Sequence, residues 1–493
     1  MATIRGNSGN NNLVGTLAND LIYGYAGNDT LNADNTANDD GRDTLRGGTG
    51  NDLLIGDIND RLFGEAGNDR LIANNSQFFG TGQSIYMNGG DGNDYMYAFT
   101  AGEMYGGDGN DTITVGTSGI IYGGNGNDVL DGDESTVYGD AGNDTLSGSF
   151  SNLYGGTGND TYIVNDADAV TIYEYEGGGS RDTVRASVSY TLGAYLNDLV
   201  LTGSDNINGT GNELDNIITG NSGVNLLQGG AGNDRINADI TSNNDGIDTL
   251  YGGIGNDSLV GDSGDTLYGD AGNDRLIGNQ IGFFEQPGDT IYLYGGDGND
   301  YLNVDNNAGM YGGSGNDTII GGTSVYIEGG DGNDSLEGSE SVIYGGAGND
   351  RLTGSFSSLY GGDGNDVLQG NPAQMFGGRG NDTLIGNNGD DYFGFNAPNE
   401  GIDTIRNFSS ADFDQIFVSA SGFGGGLVAG STIAPTQFRL GSTAADASDR
   451  FIYNRNNGAL FFDVDGTGSR SQVQFATLVG TPSLTSDDIF VIT

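Results

Sequence analysis

Large apolar side chains recur along this chain at short intervals, each flanked by small or polar residues. The segment Gly106–Thr114 shows the unit: Gly-Gly-Asp-Gly-Asn-Asp-Thr-Ile-Thr, with Ile113 between two threonines. Apolar and polar alternation predicts a short strand with Ile113 on its inward face. The glycine-rich part before it predicts a tight turn, because glycine adopts positive φ easily. A unit that recurs with a fixed period predicts a repeat architecture.

The triplet Gly-Asn-Asp occurs seventeen times and nearly always inside this nine-residue phrase. Successive aspartates Asp94, Asp111, Asp128, Asp144 and Asp160 are 17, 17, 16 and 16 residues apart. This spacing predicts two half-turns per coil, one with nine residues and one with seven or eight. The shorter half-turns lack the aspartate turn, so we expect aspartates along one edge and plain turns along the other. Near the N-terminus, additional aspartates predict that both edges carry them.

The repeat block occurs twice, as a tandem duplication. We predict a first block over 6–163 and its duplicate over 211–394. The segment between them, 164–210, is richer in β-branched and aromatic residues. It predicts either a bridging set of longer coils or a separate linker. After 394 glycine becomes rarer and phenylalanine frequent, which predicts a C-terminal β-rich cap over 395–493.

Charge narrows the classes of partner. The 493 residues include 68 acidic and only 16 basic side chains, for a formal net charge of −52. Nucleic-acid binding needs clusters of Lys and Arg, and anionic membranes repel such a chain. We therefore expect neither nucleic-acid binding nor membrane insertion. So many carboxylates would oppose a compact fold unless a cation neutralised them.

Missing residue types exclude several kinds of chemistry. The chain has no His, no Cys and no Lys. Catalytic triads with His, zinc proteases and Walker-type phosphate loops are therefore excluded, as are disulfides. Paired carboxylates could hydrolyse glycosides, but the aspartates already have a periodic structural role. We therefore expect no enzyme, and a polysaccharide-modifying activity is the least favoured alternative.

The periodic aspartates point to calcium. Stacked coils lie about 4.8 Å apart, so identical aspartates would repel one another. Calcium takes roughly six to eight oxygens from carboxylates and backbone carbonyls. Of the 68 acidic residues 57 are Asp, whose short side chain suits the reach from a turn to an ion. The alternative is that Asn-Asp-Gly turns merely favour left-handed geometry. That explains one turn, but not an acidic residue held in register through seventeen.

The phrase resembles the RTX nonapeptide, or haemolysin-type calcium-binding repeat, over roughly 6–394. The resemblance implies an all-β fold: a parallel β-roll or β-solenoid in two tandem blocks, with Ca²⁺ ions between successive turns. It also implies that glycine carbonyls and aspartates of the turns are the ligands. Asp20 and Asp391 hold the same position in weaker copies of the phrase. The other implied ligands are Asp29, Asp52, Asp69, Asp94, Asp111, Asp128, Asp144, Asp160, Asp234, Asp257, Asp274, Asp300, Asp317, Asp334, Asp350, Asp366 and Asp382.

The C-terminal region resembles the closing segment of proteins exported by type I secretion systems. Gly401–Phe408 looks like its opening motif, and Asp488–Ile492 looks like its terminal acidic-then-apolar signal. The segment Met1–Gly6 lacks the apolar core of a cleaved signal peptide. The resemblance implies an extracellular or cell-surface location, reached through the type I apparatus without N-terminal cleavage.

We expect a secreted calcium-binding structural protein whose β-roll folds on Ca²⁺ binding. Its repeats look like those of bacterial surface proteins of the oscillin kind, which implies self-assembly into a surface layer, sheath or filament. The alternative is a calcium-dependent adhesin, or a glycan- or ice-binding rod, with cell-surface polysaccharide as partner. Tyrosines close many short half-turns and either stack to stiffen a sheet or form an exposed stripe for a subunit or glycan. They are Tyr105, Tyr122, Tyr138, Tyr154, Tyr311, Tyr344 and Tyr360.

Overall fold

The chain folds as two compact units, Met1–Gly232 and Asn233–Thr493. The computed structural model describes residues 1–34, 41–73, 84–100, 102–165, 170–238, 246–279 and 290–493. Short strands dominate these residues in both units. Nearly all of them pair in parallel with the strand one turn away along the chain. The expected all-β parallel β-solenoid is confirmed.

One turn of the first unit illustrates the solenoid. The strand Gly102–Asp108 leads into an aspartate turn, Thr112–Val115 leaves it, and Ile120–Asn125 begins the next turn. Side chains alternate, so Met104 and Ile113 are fully buried whereas Thr112 is half-buried. Strands before the turn form one sheet, the pre-turn sheet. Strands after it form the facing post-turn sheet.

The first unit contains both sheets and a short third one. Its pre-turn strands are Thr3–Arg5, Leu21–Ala26, Thr44–Thr49, Arg61–Ala66, Ile85–Asp91, Gly102–Asp108, Ile120–Asn125, Thr136–Ala141, Ser151–Thr157 and Val170–Tyr173. Its post-turn strands are Asn12–Val14, Thr30–Asn32, Leu53–Gly56, Arg70–Ala73, Tyr95–Ala98, Thr112–Val115, Val129–Gly132, Thr145–Ser147, Thr161–Val164, Thr183–Ala186, Asp198–Leu201 and Ile217–Thr219. The short third sheet contains Tyr190–Thr191, Gly209–Thr210 and Leu226–Ala231.

The second unit repeats the arrangement. Its pre-turn strands are Thr249–Ile254, Thr266–Ala271, Ile291–Asp297, Ala308–Ser314, Tyr326–Asp331, Val342–Ala347, Ser357–Asp363, Ala373–Arg379, Tyr392–Phe395 and Gln415–Ser419, followed in the same sheet by Ile489–Ile492 and Ser431–Thr432. Its post-turn strands are Arg235–Asn237, Ser258–Asp262, Arg275–Asn279, Tyr301–Asn306, Thr318–Thr323, Ser335–Ser339, Arg351–Ser355, Val367–Gly370, Thr383–Ile385 and Asp403–Arg406.

The core consists of rows of inward-facing apolar residues that run along each sheet from turn to turn. Ile113 lies in register with Met96 on one side and Leu130 on the other. In the pre-turn sheet, Met104 lies in register with Ile121. All of these side chains are fully buried. Each turn thus contributes at least one inward apolar side chain from each sheet to a thin core that one turn alone could not form.

Strands of the segment 164–210 continue the sheets of the first unit. Val170–Tyr173 pairs with Ser151–Thr157 in the pre-turn sheet. In the post-turn sheet, Thr183–Ala186 pairs with Thr161–Val164 and with Asp198–Leu201. All three pairings are parallel. The segment therefore adds turns to the solenoid of its own unit.

The C-terminal part of the second unit departs from the repeat geometry. Phe451–Asn454, Ala459–Phe462 and Val473–Leu478 pair antiparallel, with Phe438–Leu440 beside the first of them. The ring of Phe423 meets those of Phe462 and Phe475 edge-on at 5.0 and 5.3 Å. The helices described lie here as well: the α-helix Ala420–Phe423 and the 3₁₀ helices Ser410–Asp412, Pro435–Gln437 and Ser486–Asp488. Among the described residues, no helix has the length and apolar character needed to cross a membrane.

Candidate metal centre

Most aspartate turns contain two glycines with positive φ. In the turn before Asp111, Gly107 has φ +117° and Gly109 has φ +132°. Both conformations are strained for residues with a side chain. The turns also stack closely, because a Cβ on Gly107 would collide with backbone atoms of Gly90 one turn earlier. The glycine pattern therefore allows the turns to stack in direct contact, with the aspartate at the start of each post-turn strand.

The turn aspartates of each unit are joined in a hydrogen-bonded series, which we call the aspartate ladder. The backbone N–H of Asp94 donates to Oδ1 of Asp111 at 2.7 Å, and that of Asp111 donates to Oδ1 of Asp128 at 2.7 Å. In the first unit the ladder contains Asp29, Asp52, Asp69, Asp94, Asp111, Asp128, Asp144, Asp160 and Asp182. In the second it contains Asp234, Asp257, Asp274, Asp300, Asp317, Asp334, Asp350, Asp366, Asp382 and Asp403. All of these side chains are buried.

The asparagine of each triplet forms a second, exposed series beside the ladder. The N–H of Asn110 donates to Oδ1 of Asn93 at 2.8 Å, and the N–H of Asn127 donates to Oδ1 of Asn110 at 2.8 Å. These bonds run toward the N-terminus, opposite to those of the aspartates. On the outside, the neutral side chain of each asparagine therefore accepts one backbone N–H per turn. The charged aspartate side chains lie on the buried side of the same turns.

The second carboxylate oxygen of most ladder aspartates accepts no hydrogen bond from the described residues. Oδ2 is buried and unpartnered in Asp29, Asp52, Asp69, Asp94, Asp111, Asp128, Asp144, Asp160, Asp274, Asp300, Asp317, Asp334, Asp350, Asp366 and Asp382. A buried polar atom without a partner costs about 1–3 kcal/mol, and more when it is charged. Fifteen such atoms in register require a common explanation.

These oxygens face small spaces, which we call the repeat cradles. A Cβ added to Gly47 would lie against Oδ2 of Asp52 and 2.8 Å from the carbonyl oxygen of Gly64 in the next turn. The same pair of oxygens surrounds Gly106, where they come from Asp111 and Gly123. Each cradle thus combines one carboxylate with a carbonyl of the following turn. Such an all-oxygen donor set suits Ca²⁺ and lacks the nitrogen and sulfur ligands that zinc prefers.

Burial opposes ionisation of these carboxyls. Desolvation raises the pKa of Asp111 to about 7, helped by the charges of Asp128 and Asp94 and opposed by the hydrogen bond from the N–H of Asp94. The pKa is likewise raised to about 7 in Asp69, Asp144, Asp274, Asp334 and Asp366. It is raised to about 6 in Asp94, Asp128, Asp160, Asp300, Asp317 and Asp382. A bound cation would reverse this effect by favouring the carboxylate. The residues present therefore fit calcium.

Asp20 and Asp391, expected to share the position of the other aspartates, lie at the opposite edge. The N–H of Asp20 donates to Oδ1 of Asp43 at 2.7 Å, and the N–H of Asp391 donates to Oδ1 of Asp414 at 3.0 Å. Both precede a pre-turn strand, so each belongs to the other half-turn of its coil. The local phrase is similar, but the half-turn count places each in a separate, shorter series of its own unit, and the series of Asp20 continues to Asp60.

Serines replace aspartates in the middle of this opposite edge. The N–H of Gly119 donates to Oγ of Ser135 at 2.9 Å, and the N–H of Ser135 donates to Oγ of Ser151 at 3.0 Å. In the second unit Ser341 and Ser357 form the same contact. A hydroxyl makes the bond between turns without adding charge. These shorter half-turns thus carry no carboxylate at that position, as their sequence predicts.

Sequence reasoning missed several aspartates as ligand candidates. They lack the Gly-Asn-Asp triplet but keep the Asp-x-apolar part of the phrase, as in Asp182-Thr183-Val184 and Asp403-Thr404-Ile405. That shorter pattern could have found them. Those in the two series of contacts are Asp43, Asp60, Asp182, Asp248, Asp265, Asp403 and Asp414.

The tyrosines of the pre-turn strands stack face to face. Ring centroids of Tyr105 and Tyr122 are 4.8 Å apart with planes 7° from parallel, and Tyr154 and Tyr173 are 4.5 Å apart at 6°. Stacking also joins Tyr122 to Tyr138, Tyr138 to Tyr154, Tyr268 to Tyr294, Tyr294 to Tyr311 and Tyr344 to Tyr360. Ring faces inside these stacks cover one another, so the edges and hydroxyls face outward.

A family model for the RTX calcium-binding nonapeptide repeat matches most of the chain. The matches cover residues 5–76, 86–98, 103–118, 120–162, 210–240, 242–280, 292–308, 311–372 and 374–396. They stop at residue 162, resume at residue 210, and end at residue 396, shortly before the last parallel turns of the second unit. No curated protein matches the chain. The stacked aspartate turns and the family match agree, and the chain belongs to the family of RTX calcium-binding nonapeptide repeat proteins.

Proposed function

We propose that this protein is an extracellular structural protein whose solenoid folds when calcium binds the aspartate ladder. The observation that carries the proposal is the set of fifteen buried, unpartnered carboxylate oxygens, thirteen of which face a repeat cradle. The Oδ2 atoms and the glycine carbonyls of the next turn would hold the ions. Bound calcium would supply positive charge between carboxylates that otherwise repel.

Charge supports the coupling of folding to calcium. The formal net charge is −52, and each bound ion would offset two negative charges. Sites in extracellular modules bind calcium with Kd of about 10⁻⁴–10⁻³ M. An ion that binds only the folded state stabilises it by RT ln(1 + [Ca²⁺]/Kd), and this contribution is summed over sites. At cytosolic calcium levels that contribution would vanish, and the repulsion would remain.

This dependence suits export in an unfolded state. A chain that folds only in millimolar calcium would cross a secretion channel unfolded and fold outside. The terminal segment resembling a type I secretion signal forms the strand Ile489–Ile492, which pairs with Gln415–Ser419. Because this strand is partly buried in the folded protein, the secretion apparatus would have to recognise the segment before the chain folds. The proposed location is therefore extracellular or on the cell surface.

We propose a structural role rather than a catalytic one, with assembly into a surface layer, sheath or filament. The repeats of this family are structural calcium-binding modules. The stacked tyrosines argue against the alternative of a glycan-binding rod, because sugars pack on exposed aromatic faces and these faces cover one another. Outward phenol edges could instead contact a second copy of the chain.

Two measurements test the proposal. Limited proteolysis should leave the chain intact in millimolar calcium and cut it throughout in chelator, with magnesium at the same concentration failing to protect. Electron microscopy in calcium should then reveal sheets or filaments. Equal proteolysis in calcium and chelator would contradict the calcium-dependent fold. Isolated monomers at high protein concentration would contradict assembly and favour an adhesin.

A further inference from the structure

The last aspartate turn of the first repeat block has an additional carboxylate. Glu174 follows the strand Val170–Tyr173 and reaches back to the turn that contains Asp160. Carboxylate oxygens of Asp160, Glu174 and Asp182 all lie within 4.8 Å of one another. Three chain segments thus meet at one point: the last repeat turn with Asp160, the segment that follows the strand Val170–Tyr173, and the residue just before Thr183–Ala186.

The composition of this site differs from that of a repeat cradle. At Gly106 the cradle is formed by Oδ2 of Asp111 and the carbonyl of Gly123. At the equivalent Gly155, a Cβ would meet Oδ2 of Asp160, Oε1 of Glu174 and the hydroxyl of Tyr162. A full carboxylate thus takes the place of a carbonyl dipole. The site contains three negative side chains, whereas the two ladder aspartates of successive repeat turns, such as Asp111 and Asp128, number only two.

Unpartnered oxygens aim into this space. Asp160 is 1 % exposed, and its Oδ2 accepts no hydrogen bond from the described residues. Oε2 of Glu174 is also buried and unpartnered. The nearby guanidinium of Arg181 is paired with Asp198 instead. The buried negative charge is therefore not offset by a side chain of the protein among the described residues.

Tyr162 holds the glutamate in place. Its ring is fully buried in the core of the post-turn sheet, and its hydroxyl donates to Oε1 of Glu174. The backbone N–H of Asp160 donates to Oδ1 of Asp182 at 2.8 Å. Both contacts fix carboxylates from later segments against the last repeat turn. The site is thus held by the fold rather than formed by mobile surface acids.

We propose that Asp160, Glu174 and Asp182 form a high-affinity calcium site, distinct from the repeat cradles, that fills before them. This inference rests on the proposed binding of calcium by the ladder. Calcium affinity rises with the number of charged ligands, and that number is greater here. A cation bound here fastens the segment 170–182 to the last repeat turn.

The test is calcium titration calorimetry on the full-length chain, with Glu174→Gln compared with wild type and with Glu176→Gln. Glu176 is two residues away and exposed, so it controls for the loss of one charge. Wild type and Glu176→Gln should show one tight site before a larger weak class. In Glu174→Gln the affinity of that site should fall at least about tenfold, with the weak class unchanged.

A second readout uses the tyrosine next to the site. Terbium replaces calcium, and excitation of a nearby tyrosine sensitises its emission. Early emission at sub-stoichiometric terbium should be strong in wild type, weak in Glu174→Gln, and weak in Tyr162→Phe, which keeps the buried ring. If Glu174→Gln fails to fold, Glu174→Asp keeps the charge, shortens the reach, and should also weaken the tight site.

The outcomes separate this inference from the proposed function. A tight site that persists in Glu174→Gln and Glu174→Asp, while calcium still folds the chain, overturns the three-carboxylate site alone. A single class of weak sites in wild type also overturns it. A wild-type chain that neither binds calcium nor changes structure contradicts the proposed function itself.

Discussion

Replacing Asp111 by asparagine should have opposite effects with and without calcium. The amide oxygen can still accept the N–H of Asp94, a contact of 2.7 Å with the carboxylate. The other carboxylate oxygen, which faces the repeat cradle, is replaced by the amide NH₂ group, which cannot bind a cation. The substitution therefore removes a calcium ligand and a buried charge, while the bond between turns is kept.

The two contributions can be estimated. With about 10 mM calcium and a Kd of about 0.1–1 mM, the loss of one site destabilises the fold by about 1.4–2.7 kcal/mol. Without calcium the sign reverses. The pKa of Asp111 is raised from 3.8 to about 7. At pH 7.5 the folded state therefore bears an ionisation cost of up to about 4 kcal/mol, which asparagine abolishes.

The assay is urea unfolding followed by far-UV circular dichroism at pH 7.5, with calcium or with chelator plus an osmolyte that favours the compact state. Asp108→Asn is the matched control, because Asp108 lies exposed in the same turn. It should change the free energy of unfolding by less than about 0.5 kcal/mol in both buffers. Destabilisation of Asp111→Asn in both buffers, or equality with the control, would refute the assignment of Asp111 as a ligand.

Three further predictions concern the cradle, the tyrosines and pH. Gly106→Ala places a Cβ into the cradle and should destabilise the calcium-bound fold by about 1–3 kcal/mol in thermal unfolding, whereas Gly193→Ala, whose Cβ meets its nearest atom at 3.8 Å, should not. Tyr122→Ala removes stacking contacts at 4.8 and 4.9 Å and should cost about 1–3 kcal/mol; Tyr122→Phe keeps the rings stacked and should cost far less. In chelator, ladder carboxyls with a folded-state pKa of about 6–7 keep their protons after the unfolded chain has lost them near 3.8. Stability of the metal-free fold should therefore fall as pH rises from 4 to 7, and dichroism at pH 5 should report more β structure than at pH 8; the reverse trend would contradict the burial of these carboxyls.

The repeat phrase predicts the solenoid because local and long-range requirements coincide. Ile113 alternates with threonines and faces inward. The glycines before it allow both the tight turn and the close stacking of that turn on its neighbours. Each turn imposes the same condition on the next. Such one-dimensional order can be recognised from periodicity alone. For that reason the fold follows from the sequence more fully than the site does.

The site was less predictable, because the edge at which an aspartate lies depends on which half-turn of the coil it belongs to. That can be counted only along the whole coil and not from the local phrase. Asp20 and Asp29 have similar local sequences, yet they lie at opposite edges. A serine can replace an aspartate in the bond between turns, as Ser135 does, so hydrogen bonding alone does not identify a ligand. The position of Glu174 depends on how the chain returns after Val170–Tyr173, which no repeat in the sequence specifies.

Calcium titration of the full-length chain, followed by far-UV circular dichroism, tests the central claim most directly. Starting in chelator at pH 7.5, β structure should appear cooperatively in the range of about 0.1–1 mM free calcium. Magnesium should fail to produce it, because its stricter octahedral shell keeps several waters. A spectrum of full β structure already present in chelator, unchanged by calcium, would contradict folding driven by the aspartate ladder.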